Sequence, residues 1–214
     1  MSKVPSRKTK LSRHMGMGRG KDYLPYITTN EFNSQGTASI IPDWKTGRGV
    51  HCLSQAEAYW YYVLRWDDFN EDIREQYPLE RSITEQIAEK NGLKHPGNKE
   101  YIMTTDFLVE RKDGTFVAYS VKTDRELPER ALQILCIEKI YWMNKGIDFR
   151  MLFKEDINLT LVQNIRNVVM FYDKNKVFDE ISLMKHKIAI KEMQWNMDND
   201  IITNNLLKEW RSNA

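Results

Sequence analysis

Apolar residues Leu53, Ala56, Trp60, Val63 and Leu64 recur at helical intervals, which predicts an amphipathic helix from Ser54 to about Trp66. Residues 71–79 (EDIREQYPL) read as extended. Residues 101–111 form an apolar, β-branched run that meets a Lys112-Asp113-Gly114 turn and resumes at 115–122, the pattern of two strands joined as a hairpin. Pro128 is placed to open a helix whose Leu132, Leu135, Cys136, Ile140 and Met143 share a face, and Gly146 to end it. Ile147, Phe149, Met151 and Phe153 then alternate with Asp148, Arg150, Leu152 and Lys154, as a strand would. Segments 158–172, 177–194 and 200–211 read as helices. Residues 23–50 mix aromatics with Asn33, Gly36, Pro42, Gly47 and Gly49, which predicts irregular structure with short strands at most. Helix, strand, hairpin, helix and strand in that order make an α/β domain.

Composition excludes several classes. The 214 residues are 41% apolar and 29% charged, near the globular average, so neither wholesale disorder nor a fibrous chain fits. No window approaches the roughly 18 apolar residues of a membrane span, and the N-terminus lacks the apolar stretch of a secretory signal. A cytoplasmic chain without membrane partners is expected. Cys52 and Cys136 belong to no zinc-binding spacing and are expected to be reduced and buried.

The net charge of +2 hides an asymmetry. Lys3, Arg7, Lys8, Lys10, Arg13, Arg19 and Lys21 give residues 1–21 seven basic groups and no acid, leaving the remainder at −5. Residues 1–22 are therefore expected to be a basic, flexible arm, suited to a polyanion or simply solvated. The glycines at 16, 18 and 20 are not a phosphate-binding loop, because no strand precedes them and Asp22, not Ser or Thr, follows Lys21.

Three residues stand out as candidate chemistry. Glu57 lies on the stripe of its helix that should face the core, where an unpaired carboxylate is costly. Ser54-x-x-Glu57 is also a capping box, the reading favoured for Glu57 taken alone. Asp106 interrupts the apolar strand 102–109, a disfavoured place for an acid without a partner. Lys122 ends the second hairpin strand, two residues beyond Ser120 and on the same face. The hairpin sets Asp106 and Lys122 on adjacent strands beside the helix carrying Glu57. That combination suits metal-assisted phosphodiester hydrolysis, in which hard oxygen ligands hold Mg²⁺ and a lysine serves the water or the phosphate.

The sequence resembles the TnsA family, the endonuclease subunits of heteromeric cut-and-paste DNA transposases. The resemblance runs through Gly20-Lys21-Asp22-Tyr23-Leu24-Pro25, Lys45-Thr46-Gly47-Arg48, Leu53-Ser54 with Glu57, and Asp72-Ile73-Arg74-Glu75-Gln76-Tyr77-Pro78. It continues through Lys94-His95-Pro96, Thr104-Thr105-Asp106-Phe107-Leu108-Val109, Val121-Lys122, and Glu138 to Trp142 followed by Gly146. It implies a restriction-endonuclease-like mixed central sheet flanked by helices over residues 23–156, followed by a short helical region over 157–214. The latter is shorter than the winged-helix C-terminal domain of longer relatives.

The implied activity is Mg²⁺-dependent cleavage, with Mn²⁺ as a substitute, of the non-transferred 5′ strands at transposon ends. The implied partners are double-stranded DNA, a DDE-type transposase subunit (TnsB-like) and an AAA+ ATPase regulator (TnsC-like). Position by position, the resemblance makes Glu57 and Asp106 metal-binding catalytic acids, adds the Val121 carbonyl as a ligand, and makes Lys122 the catalytic lysine. Ser120 stands where the family pattern has Gln, or Glu in related nucleases, and is expected to reach the metal's water through one more water.

Lys21, Arg74 and Lys94 are candidate phosphate contacts. A catalytically weak scaffold joining transposase and ATPase, and a stand-alone restriction or repair nuclease, are the alternatives. Tyr59, Trp60, Tyr61 and Tyr62 read as packing. His51 and His95 are not expected to bind metal, and Asp124 and Glu126 read as solvated loop acids.

Overall fold

The computed structural model describes residues 4–31 and 37–212, so Lys3, Asn33 and Gly36 lie outside the described residues. Two antiparallel strands, β1 (Ser39–Pro42) and β2 (Gly49–Cys52), form a small hairpin. The central sheet contains β3 (Asn70–Pro78), β4 (Thr104–Arg111), β5 (Phe116–Lys122) and β6 (Asp148–Phe153), in that spatial order. β3, β4 and β5 are antiparallel neighbours, whereas β6 runs parallel to β5. A parallel neighbour requires a crossover, and helix α4 (Glu129–Asn144) supplies it. This is the mixed sheet flanked by helices that the resemblance implied.

The central strands β4 and β5 are buried on both faces, whereas β6 at the sheet's edge is half-buried to exposed. Helix α2 (Gln55–Trp66) and the β1–β2 hairpin cover one face, where Ala56, Tyr61 and Leu64 meet Ile73, Phe107, Val109, Val117 and Tyr119. α4 and α3 (Arg81–Lys90) cover the other, where Ile87, Ile137, Tyr141 and Trp142 meet Leu79, Met103, Leu108 and Ala118. Helices α5 (Leu159–Val169), α6 (Glu180–Ala189) and α7 (Asn204–Ser212) build a third cluster that packs on Trp44, Tyr62 and Trp66 beside α2. Asn164 staples this cluster: its amide donates to the Met197 and Asp200 carbonyls at 2.9 and 2.8 Å and accepts from the Ile202 N–H at 2.7 Å.

Several expectations are corrected. Of the flexible arm expected over 1–22, the described residues, from 4 onward, do not trail but pack on the domain. Arg7–Ser12 form a short helix, α1, and Lys10 is buried, donating to the Tyr26 carbonyl at 2.7 Å and pairing with Glu31. The chain then runs beside β3, an edge strand, with the Tyr23 hydroxyl donating to the Glu75 carbonyl and the Tyr26 N–H to that of Gln76. An edge strand exposes unpaired backbone groups, and this segment covers some of them. Gly18, at φ +96°, is required there, because a Cβ would stand 2.3 Å from the Asp22 carbonyl oxygen.

α4 also differs from its predicted face. Leu132, Cys136 and Met143 are exposed, and the buried stripe is Leu135, Ile137, Glu138, Tyr141 and Trp142. Helix α3 was not read from the sequence, since its apolar positions are few and no side chain caps its N-terminus.

Candidate active site

α2 begins with a cap that also fixes an acid. The Ser54 hydroxyl accepts the Glu57 N–H at 3.1 Å and donates to Glu57 Oε1 at 2.9 Å, while the Leu53 N–H donates to Oε2 at 2.9 Å. The carboxylate is thus held on the buried side of the first helical turn. Capping and placement of the acid are the same set of bonds.

Opposite it, the sheet opens. In β3, Ile73 packs toward α2, yet Tyr77 and Leu79, four and six residues on, pack toward α3 and α4. Side chains of equal parity normally share a face, so the strand must twist over between them. Gln76 does this with a left-handed φ of +48°, and the β3–β4 register passes from Glu75↔Phe107 to Tyr77↔Thr105 with no pairing of Gln76 to Asp106. β4 likewise stops pairing with β5 beyond Phe107↔Tyr119. Asp106 therefore sits at the gap in the β3–β4 pairing and just past the last residue that pairs β4 with β5. Its Oδ2 takes the Val121 N–H at 2.6 Å, replacing a ladder bond with a side chain.

Lys122 completes the cluster. Its Nζ lies 2.7 Å from the Ser120 hydroxyl, 3.2 Å from the Val121 carbonyl and 3.9 Å from Asp106 Oδ2. Ser120 is buried, with its hydroxyl 3.5 Å from Asp106 Oδ2. Glu57, Asp106, Ser120, Val121 and Lys122 thus come together, joined through Gln76, whose amide donates to Glu57 Oε2 at 3.3 Å and Asp106 Oδ1 at 3.4 Å.

A third acid stands behind them. Glu138 of α4 is buried, and its Oε1 accepts from the Thr105 hydroxyl at 2.7 Å, which in turn accepts from Trp142 Nε1 at 2.6 Å. Burial, and then the charge of Asp106, push its carboxyl up to about 8. Burial and the charge of Asp106 likewise push Glu57 up to about 7. Three acids facing one lysine form a site that favours either protons or another cation. Hard oxygen donors suit Mg²⁺, and the two carboxylates with the Val121 carbonyl are such a set. Among the described residues no group of three or more His, Cys, Asp or Glu side chains is placed to hold a metal ion, so Glu138 does not join these two carboxylates as a third ligand.

The other candidates lie outside this cluster's bonds. Arg74 is not a free cation, because it pairs with Asp72 at 2.8 Å and Glu110 at 2.6 Å. Lys21 and Lys94 are exposed, as are Asp124 and Glu126. His51 Nδ1 accepts from the Thr29 N–H, and His95 contacts Thr84 and the Pro96 carbonyl. Tyr61 is fully buried, Tyr62 stacks on Trp44, and Trp60 donates to the Phe153 carbonyl. Sequence reasoning missed Gln76 and Glu138 as site residues. Glu138 carried a signal, an acid within an apolar helical stripe, whereas Gln76 carried none.

Comparison with known proteins agrees with this architecture. Residues 70–154, from β3 through β6, match the family described as TnsA-like endonuclease, N-terminal. Over 155 residues the chain is 39% identical to the transposon Tn7 transposition protein TnsA of Escherichia coli, covering 70% of this chain. It spans 57% of that relative's length. Among the described residues no helix is long and apolar enough to cross a membrane. A restriction-endonuclease-like sheet matched from its first strand to its last, together with that identity, places the chain in the TnsA family.

Proposed function

We propose that this chain is the endonuclease subunit of a heteromeric DNA transposase, hydrolysing the non-transferred 5′ strands at transposon ends in a Mg²⁺-dependent reaction. The convergence of Glu57, Asp106 and Lys122 where β4 parts from β5, in a TnsA-family chain, carries this reading. Its partners would be double-stranded DNA, a DDE-type transposase subunit and an AAA+ ATPase regulator. Mn²⁺ is expected to substitute.

Glu57, Asp106 and the Val121 carbonyl would hold the metal, which when bound lowers the pKa of a water and offsets charge on the phosphate. The protein's own groups do the rest. The cap at Ser54 and the Val121 N–H fix one carboxylate on each side of the opening, so that neither has to reorganise during reaction. Lys122 brings a positive charge to the edge of the opening, where it orients the attacking water or stabilises the phosphate oxygens. Ser120 holds the Lys122 ammonium at 2.7 Å, which makes it a support for the lysine.

Strand mapping tests the proposal. Transposon-end duplexes labelled separately on each strand would be incubated with this chain, its transposase partner and Mg²⁺. Cleavage confined to the 5′ strand is expected. Assembly without any 5′-strand cleavage would favour the scaffold reading, and cleavage of arbitrary duplexes without partners the stand-alone nuclease.

A further inference from the structure

Gln76 is the side chain that touches both acids, and nothing in the motif reading assigns it a role. Its carboxamide nitrogen lies 3.3 Å from Glu57 Oε2 and 3.4 Å from Asp106 Oδ1. Its carbonyl oxygen accepts from the Thr104 hydroxyl at 3.0 Å. That bond fixes which end of the amide faces the acids, and the opposite orientation would aim an oxygen at two carboxylates. The residue is buried.

The backbone supports the same conclusion. A non-glycine residue at φ +48° costs roughly 1–2 kcal/mol, and such strain persists only where surrounding structure enforces it. Here the enforcement is visible on both sides. The Gln76 carbonyl accepts from Tyr26 N–H, and its neighbour Glu75, fully buried, is gripped by Arg48 at 2.7 and 2.6 Å and by the His51 N–H at 3.0 Å. The strain brings the amide between helix and strand, where a regular β3 would pair with β4 instead.

We propose that Gln76 is a positioning residue of the nuclease site, its carboxamide setting the spacing and orientation of the two carboxylates that would receive the metal. This rests on the functional reading above. The neutral amide bridges two like-charged groups without competing as a cation, so it pre-organises the ligands at little electrostatic cost to metal entry. Gln76 then governs metal affinity and leaves the hydrolytic step to other groups.

The test measures Mn²⁺ binding to the full chain by electron paramagnetic resonance of free Mn²⁺, for wild type, Asp106→Ala, Gln76→Asn and Thr104→Val. Asparagine tolerates left-handed backbone, yet its amide falls a methylene short of the acids. Thr104→Val releases the amide without altering β3 and serves if Gln76→Asn fails to fold by circular dichroism. Gln76→Asn is expected to weaken Mn²⁺ binding about tenfold, and Thr104→Val about threefold. Nicking by both should return to within about twofold of wild type at saturating Mn²⁺, a recovery that general misfolding would not give. If wild type binds Mn²⁺, Asp106→Ala does not, and the folded Gln76 and Thr104 variants bind like wild type, the role of Gln76 is refuted and the metal site stands. If wild type shows no Mn²⁺ binding that Asp106→Ala removes, the metal-site reading fails and this role falls with it.

Discussion

Glu138→Gln probes the electrostatics of the site without touching its proposed ligands. In the folded protein, burial and Asp106 raise the Glu138 carboxyl from 4.5 to about 8. The folded state therefore holds a proton that the unfolded chain releases near pH 4.5, and wild type loses stability as pH rises through this window. The contribution is fully retained below pH 4.5 and levels off above about pH 8. Linkage puts the cost at about 1.4 kcal/mol at pH 5.5 and about 4 kcal/mol at pH 8. Glutamine does not titrate. Any loss from its less suitable amide is independent of pH, so the difference between the two proteins should move by about 3 kcal/mol between pH 5.5 and 8 in favour of the variant. Urea unfolding followed by tryptophan fluorescence, in chelator to remove divalent ions, measures it. Parallel stability curves for the two proteins would refute the assignment of Glu138 as a buried, neutral acid.

Other consequences follow from particular bonds. Arg65 and Asp43 form a buried, two-pronged pair; burial pushes the Asp43 carboxyl up, and Arg65 with the Lys45 N–H and the Thr46 hydroxyl together bring it below its usual value. Asp43→Ala, which strands the guanidinium, should cost about 3 kcal/mol or more in chemical denaturation. Asn164→Ala removes three bonds, two of them buried, that tie 197–202 to α5 and should cost about 3 kcal/mol, with hydrogen exchange at Ile202 N–H accelerating first. Arg74→Ala should leave the salt dependence of DNA binding unchanged, because Asp72 and Glu110 already occupy its guanidinium; a slope reduced by about one would contradict this.

Much of the fold was legible because its elements carry strong periodicity. The α2 stripe, the 104–122 hairpin with its Lys112-Asp113-Gly114 turn, and the crossover through α4 to β6 all lie where the hydrophobic pattern puts them. α4 is instructive, being apolar on more than one side. The stripe chosen from sequence avoided Glu138, yet that stripe faces solvent at Leu132 and Met143, and the acid marks the buried side.

The site divides in the same way. Glu57 and Asp106 were visible as acids in apolar settings, and Lys122 through its place on the hairpin. Gln76 was not, since a glutamine within an extended segment is ordinary and a left-handed φ leaves no mark in composition. Arg74 read as a candidate phosphate contact, and its pairing with Glu110 left no mark in the sequence because that partner lies on a neighbouring strand 36 residues away. The basic N-terminal segment read as an arm because the burial of Lys10 depends on Glu31 and the Tyr26 carbonyl, contacts that charge counting does not see.

The central claim is that Glu57, Asp106 and Lys122 act as one hydrolytic site. Its most direct test is Mg²⁺-dependent nicking of transposon-end DNA in the assembled complex by wild type, Glu57→Gln, Asp106→Ala and Lys122→Ala, with assembly followed on the same samples. The account predicts loss of 5′-strand cleavage by at least about a hundredfold in each variant while assembly is retained. Undiminished cleavage by any one of the three folded variants would contradict it.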